Sequence, residues 1–206
     1  MGISIDVDTR NFFDMLQAKV NVNSRSYPNK LLISGMGGSG IGGRIMETLA
    51  NFEDMGDISS WNNYGLPAWL SSSDNVICIS YSGNTAETLS VAKKAHKLGC
   101  KIEVITTGGN LGNLADKNGW QKTLIESGHQ PRAALPLLLK PLLYKLNIPN
   151  TELIVKEVSE HNYEKSQVEN VALDLSGKIP CIYTCLLYTS DAADEGLGVD
   201  LGGRRI

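Results

Sequence analysis

Leu31–Gly43 reads LLISGMGGSGIGG, and the fold turns on it. Leu31, Leu32 and Ile33 form a short apolar run that breaks into a glycine-dense turn, and Ile41 to Ala50 then has helical periodicity. Glycine permits positive φ and lets another group approach the backbone closely. A strand that stops in such a turn and restarts as a helix aims free N–H groups and the positive end of a helix dipole at one spot. That spot suits an anion such as a phosphate.

Gly35-Met36-Gly37-Gly38-Ser39-Gly40 also satisfies the G-x-G-x-x-G pattern of dinucleotide folds. A nicotinamide site asks for Asp or Glu at the end of the second strand. Trp61, Asn62 and Asn63 stand there instead. The bland alternative is a tight strand-to-helix turn with no ligand, and the serine at its centre argues against it.

A second loop of the same kind follows the apolar run Val76 to Ile79: Ser80-Tyr81-Ser82-Gly83-Asn84-Thr85. Ser80, Ser82 and Thr85 can each donate to a phosphate oxygen, with Gly83 freeing the turn. These residues could equally cap the helix that begins here, but one cap needs one such residue. The excess favours a ligand. Further on, Gly128-His129-Gln130-Pro131-Arg132 leads into the apolar stretch from Ala133. An arginine near a helix start opposes the dipole, so a nearby anion would rationalise Arg132, and a plain solvated arginine is the equal alternative from spacing alone.

The rest of the chain supplies the frame. Asp6 to Val20 has helical spacing, Ile58 to Trp61 reads as a short strand, and Leu89, Ala92 and Ala95 mark a helix stopped by Gly99. Lys101 to Thr106 is a strand, Leu111 to Lys117 a short helix, and Gln121 to Ile125 a strand. Asn84 with Glu87 fits the capping-box spacing loosely. This alternation predicts an α/β fold, a parallel sheet covered on both faces. Ligands of such sheets sit beyond the carboxyl ends of the strands, where both Gly/Ser loops lie.

Composition sets the bounds. The chain has 206 residues, is 42% hydrophobic and 20% charged, and carries net charge −3. That is ordinary for a soluble globular protein, and no basic surplus calls for nucleic acid. Of the four cysteines, Cys78, Cys100 and Cys181 stand within or at the start of apolar runs, as buried thiols do. The C-x-x-x-C pair Cys181 and Cys185 has no second pair and no nearby His, so no metal site is expected. The most apolar segment, Ala133 to Leu146, is short and broken by prolines and lysines; it predicts a core helix and no membrane span. A reducing cytoplasm is the expected location.

Together, GMGGSGIGG, SYSGNT with downstream Glu87 and Thr88, and PRAAL at 131–135 resemble the SIS (sugar isomerase) domain family. Within it they are most similar to the bifunctional phosphoglucose/phosphomannose isomerases, over about Met1 to Thr184. The resemblance implies a Rossmann-like α-β-α sandwich paired with a second such domain in a homodimer. It implies that Gly37, Gly38 and Ser39, with Ser80, Ser82 and Thr85, bind the phosphate of a hexose 6-phosphate. It assigns Arg132 to the reacting carbons, with no metal and no cofactor. A glutamate and a histidine complete the family's chemistry from the second domain, and no residue here matches either position.

The domain expectation is therefore 1–150 for a first SIS domain, and 151–184 for a linker helix (Thr151 to about Leu175) and opening strand (Lys178 to Tyr183) of a truncated second. Cys185 to Ile206 lacks any strand or helix rhythm and reads as a non-native tail. A polypeptide so cut is expected to be inactive and to expose apolar residues around Leu142 and Leu146. The alternative from another class is a non-catalytic phosphosugar-binding regulatory module, with the same cradle and no use for Arg132.

Overall fold

The computed structural model describes residues 15–17, 22, 26–52, 55–131, 133–160 and 164–178. Its centre is a sheet of β1 (Leu31–Ser34), β2 (Ile58–Trp61), β3 (Asn75–Ser80), β4 (Lys101–Thr106) and β5 (Gln121–Leu124). All neighbours pair in parallel, in the order β2-β1-β3-β4-β5. Four helices cover it: α1 (Gly37–Phe52), α2 (Ala86–Leu98), α3 (Gly109–Asn118) and α4 (Leu135–Lys145). Two more follow, α5 (Thr151–Glu160) and α6 (Lys165–Leu175).

Side-chain alternation along the strands sorts the core into two layers. Leu31, Ile33, Ile77, Ile79 and Ile105 pack with Met46 of α1 and Leu137, Leu138 and Leu142 of α4. Leu32, Val76, Cys78, Ile102 and Val104 face Val91, Ala92 and Ala95 of α2 and Leu111 and Ala115 of α3. Every residue of β1 and β3 is buried, which is why both read as continuous apolar runs rather than alternating ones. The chain winds one way from β1 through α1 to β2 and the other way from β3 to β5. Right-handed crossovers then put α1 opposite α2 and α3, giving three layers.

The burial of α4 differs from expectation. Leu142 is fully buried and Leu146 packs partly against the same core, so neither marks an open face. Gly42 of α1 lets the helices approach, since a Cβ there would lie 2.9 Å from Leu142 Cδ1. The lysines that seemed to interrupt this segment are buried too. Lys145 Nζ donates to Glu103 Oε2 at 2.5 Å, both side chains 5% exposed, and Lys140 Nζ donates to the Leu16 carbonyl at 2.5 Å.

The helix expected across Thr151 to about Leu175 is two helices. Glu164 has extended backbone (φ −64, ψ 123), so α6 has to start afresh after it. Exposed apolar side chains occur on these helices, Leu153, Ile154 and Val158 on α5 and Val171, Leu173 and Leu175 on α6, as they do at Phe52 and Leu124 elsewhere. Of the helix over Asp6 to Val20, residues 15–17 are described and helical. Of the strand over Lys178 to Tyr183, only Lys178 is described, and Cys181 to Ile206 lie outside the described residues. No helix among the described residues is long and apolar enough to cross a membrane.

Candidate functional site

β1 and β3 are neighbours, with Ser34 opposite Cys78. The chain leaves them in opposite directions across the sheet, which makes the gap beyond their carboxyl ends the topological switch point. Both Gly/Ser loops open onto it.

The first loop folds tighter than its sequence suggests, because α1 begins inside the glycine motif at Gly37. The amides of Ser39 and Gly40 both donate to the Met36 carbonyl, at 3.0 and 3.2 Å. Gly37 and Gly38 therefore precede the first intrahelical donors, where amides point forward from the helix. Close approach explains Gly35, where a Cβ would come 2.6 Å from the Ser39 carbonyl oxygen. Ser39 Oγ accepts from the Tyr81 amide at 3.3 Å. That bond joins the first loop to the second.

In SYSGNT the capping explanation fails. Thr85 occupies the cap position of α2 but makes no side-chain cap bond. Its hydroxyl pairs with Ser80 Oγ at 2.9 Å. Ser80 Oγ accepts from Gly83 N at 3.1 Å, and Ser82 Oγ from Asn84 N at 3.2 Å. A hydroxyl carries one proton and two acceptor sites. Ser39 and Ser82 act only as acceptors here, and one proton is shared between Ser80 and Thr85. Among the described residues, these four hydroxyls thus leave three protons without an acceptor.

The neighbouring loops brace this arrangement. Gly83 accepts from Leu111 N at 2.8 Å, and Asn84 Oδ1 from Asn110 N at 3.1 Å. Thr107 donates to the Tyr81 carbonyl through both its amide (3.1 Å) and its hydroxyl (2.7 Å). The Tyr81 hydroxyl accepts from His129 N at 2.9 Å. On the other side, in the amide orientation that satisfies both neighbours, Asn62 donates to the Gly35 carbonyl (3.3 Å) and accepts from Arg44 (2.6 and 3.0 Å). Asn62 stands where a ribose-binding acid would, and it holds the turn.

Tyr81, Thr107, Asn62 and Asn110 escaped the sequence reading. Only Tyr81 carried a signal, its place inside SYSGNT. Of the three histidines, His129 is partly buried with Nε2 4.0 Å from Glu126, His96 is exposed near Trp120, and His161 lies outside the described residues. The carboxylate of Glu87 raises the exposed phenol of Tyr64 above its usual pKa. Thr88 is buried, and its hydroxyl has no partner among the described residues. No cluster of three His, Cys, Asp or Glu able to hold a metal occurs among the described residues. Arg132 itself lies outside them; on either side, Ala133 N donates to the Gln130 carbonyl and Ala134 N to that of Pro131.

No protein-family profile matches the chain. A bifunctional phosphoglucose/phosphomannose isomerase of Caldicellulosiruptor bescii is 37% identical over 180 residues, covering 80% of this chain and 53% of that protein. One from Thermoplasma volcanium is 34% identical over 160 residues, 75% of this chain and 50% of the relative. A D-glucosamine-6-phosphate 4-epimerase of Sulfolobus acidocaldarius is 32% identical over 162 residues, covering 75% and 51%. The chain spans about half the length of these relatives. Among solved structures, Escherichia coli tagatose-6-phosphate ketose/aldose isomerase superposes with a TM-score of 0.54 at 16% identity, over 84% of this chain and 48% of that one. Vibrio vulnificus NanR complexed with ManNAc-6P gives 0.52 at 17%, over 86% and 72%. These two share the fold.

Proposed function

We propose, from the premise that this chain is homologous to the bifunctional phosphoglucose/phosphomannose isomerases, that its β1 and β3 loops hold the phosphate of a hexose 6-phosphate. In a protein of the relatives' full length, the reaction is the interconversion of glucose 6-phosphate or mannose 6-phosphate with fructose 6-phosphate. One observation supports the reading: the Tyr81–Ser39 bond ties the two loops together beyond the carboxyl ends of β1 and β3, with three hydroxyl protons to spare.

Gly37 and Gly38 contribute amides, and Ser39, Ser80, Ser82 and Thr85 contribute hydroxyls. A phosphate held this way fixes one end of the sugar, so binding energy remote from the reacting carbons positions a weak carbon acid against its base. Arg132 stabilises the enediolate that develops as the proton moves between C2 and C1. The glutamate base and the ring-opening histidine come from a second SIS domain in a homodimer. Residues 1–150 are the first SIS domain, 151–184 lead into the second, and 185–206 are non-native. The protein works in the cytoplasm.

Calorimetric titration tests the cradle. Fructose 6-phosphate binds, free fructose does not, and Ser82→Ala weakens the phosphosugar about tenfold, the loss of one charge-assisted hydrogen bond. Equal binding of both sugars, or no effect of Ser82→Ala, contradicts it. The regulatory-module reading shares the cradle, and Arg132 separates the two. In a two-domain enzyme Arg132→Ala lowers kcat with KM little changed, whereas a sensor is indifferent to it.

A further inference from the structure

Four strand-end loops meet at Tyr81. Its amide donates to Ser39 Oγ on α1, and its carbonyl accepts from Thr107 after β4. Its phenolic oxygen accepts from the amide of His129, after β5, at 2.9 Å. β4 lies between β3 and β5, so those two strands stand roughly 10 Å apart, two strand spacings. No backbone hydrogen bond spans that gap, and a tyrosine side chain does. The residue is 7% exposed and packs in the layer that contains Ala134, Leu137 and Leu138 at the start of α4.

The division of labour within this one residue matters. The links to the cradle use backbone atoms, which any side chain leaves in place. The link to the β5 loop uses the hydroxyl alone. From His129 the chain runs through Gln130 and Pro131, whose carbonyls accept from Ala133 and Ala134, directly into α4.

We propose that Tyr81 is a positioning residue whose hydroxyl sets the segment Glu126–Pro131 against the sugar portion of a phosphosugar whose phosphate sits between the β1 and β3 loops. The proposal rests on the phosphosugar reading above and adds a prediction that reading does not make. Removing the hydroxyl costs recognition of the sugar and spares recognition of the phosphate.

The test titrates the full chain and Tyr81→Phe with inorganic phosphate and with fructose 6-phosphate. In the unaltered chain the phosphosugar binds more tightly than phosphate. In Tyr81→Phe the phosphate Kd stays within about twofold, while the phosphosugar weakens by about fivefold or more, the equivalent of one hydrogen bond. Hydrogen exchange at the His129 amide accelerates in the same variant. His129→Pro deletes the donor of the same bond from the other side and reproduces the selective loss. It serves as the test if Tyr81→Phe does not fold. Ser82→Ala, by contrast, weakens both probes in equal ratio. The proposal is overturned if the variants weaken both probes equally, if they change neither, or if the unaltered chain binds the two alike. An unaltered chain that binds neither probe overturns the phosphosugar reading itself.

Discussion

Gly83 sits at φ +69, and a Cβ on it would collide with the carbonyl oxygen of Gly108 in the neighbouring loop. Gly83→Ala therefore costs on the order of 3 kcal/mol, from left-handed strain and the clash together, and abolishes binding because the SYSGNT turn must open. A shifted denaturation midpoint with an unchanged m-value checks it. The two serines beside it separate stability from binding. Ser80 is buried and its hydroxyl accepts from the Gly83 amide, which also has the Ser80 carbonyl as acceptor at 3.2 Å, so Ser80→Ala removes one buried hydrogen bond and costs about 0.5–1.5 kcal/mol. Ser82 is exposed, so Ser82→Ala leaves the melting temperature within about a degree or two of the parent while weakening phosphate binding. At this scale the glycines and hydroxyls were legible because their chemistry is local to one loop. Tyr81 and Asn62 were not, since their partners, His129 and Gly35, lie far away in the chain.

Helix α4 was legible as a core helix from its leucines, but the meaning of its lysines was not. Lysine in an apolar run reads as an interruption. In the fold Lys145 reaches a carboxylate on β4, with Tyr27 donating to the same Glu103 at 3.2 Å. No local pattern announces a pair so distant in sequence. Lys145→Met removes one partner of this buried ion pair and costs roughly 3–5 kcal/mol, and adding Glu103→Leu recovers a large part of it. Chemical denaturation of the two variants measures this, and a double variant no more stable than the single contradicts it. Leu142→Ala, which opens a void beside Gly42, costs roughly 2–5 kcal/mol by the same measurement. Helix boundaries were least readable where a cap involves backbone geometry rather than side-chain type. α1 starts in a glycine run, and α6 starts after an extended glutamate.

For the whole molecule, the alternation of strands and helices foretold a parallel sheet covered on both faces, whereas the order β2-β1-β3-β4-β5 is a property of the fold that no local pattern announces. What covers α5 and α6 was not readable, because exposed Leu153, Ile154, Val171 and Leu173 look in sequence like an ordinary amphipathic pattern. The core has its own pH signature. Burial, with the Cys100 thiol second, pushes Cys78 up from 9.0 to about 12. A raised pKa keeps the thiol neutral in the fold after it ionises in the unfolded chain. Its contribution is thus fully present below pH 9 and is lost as pH rises toward 12. Between pH 9 and 11 the parent loses on the order of 2 kcal/mol more stability than Cys78→Val, as urea denaturation at the two pH values would register. Equal losses contradict the burial argument. The account's central claim is one oxyanion pocket shared by two loops, and amide NMR during titration with fructose 6-phosphate tests it most directly. The account predicts that the largest shifts fall together on Gly37, Gly38 and Ser39 and on Ser80 to Thr85, saturating at one ligand concentration. Shifts confined to one loop, or centred on the groove lined by Tyr27, Asp57 and Asn147 at the opposite end of the sheet, would contradict it.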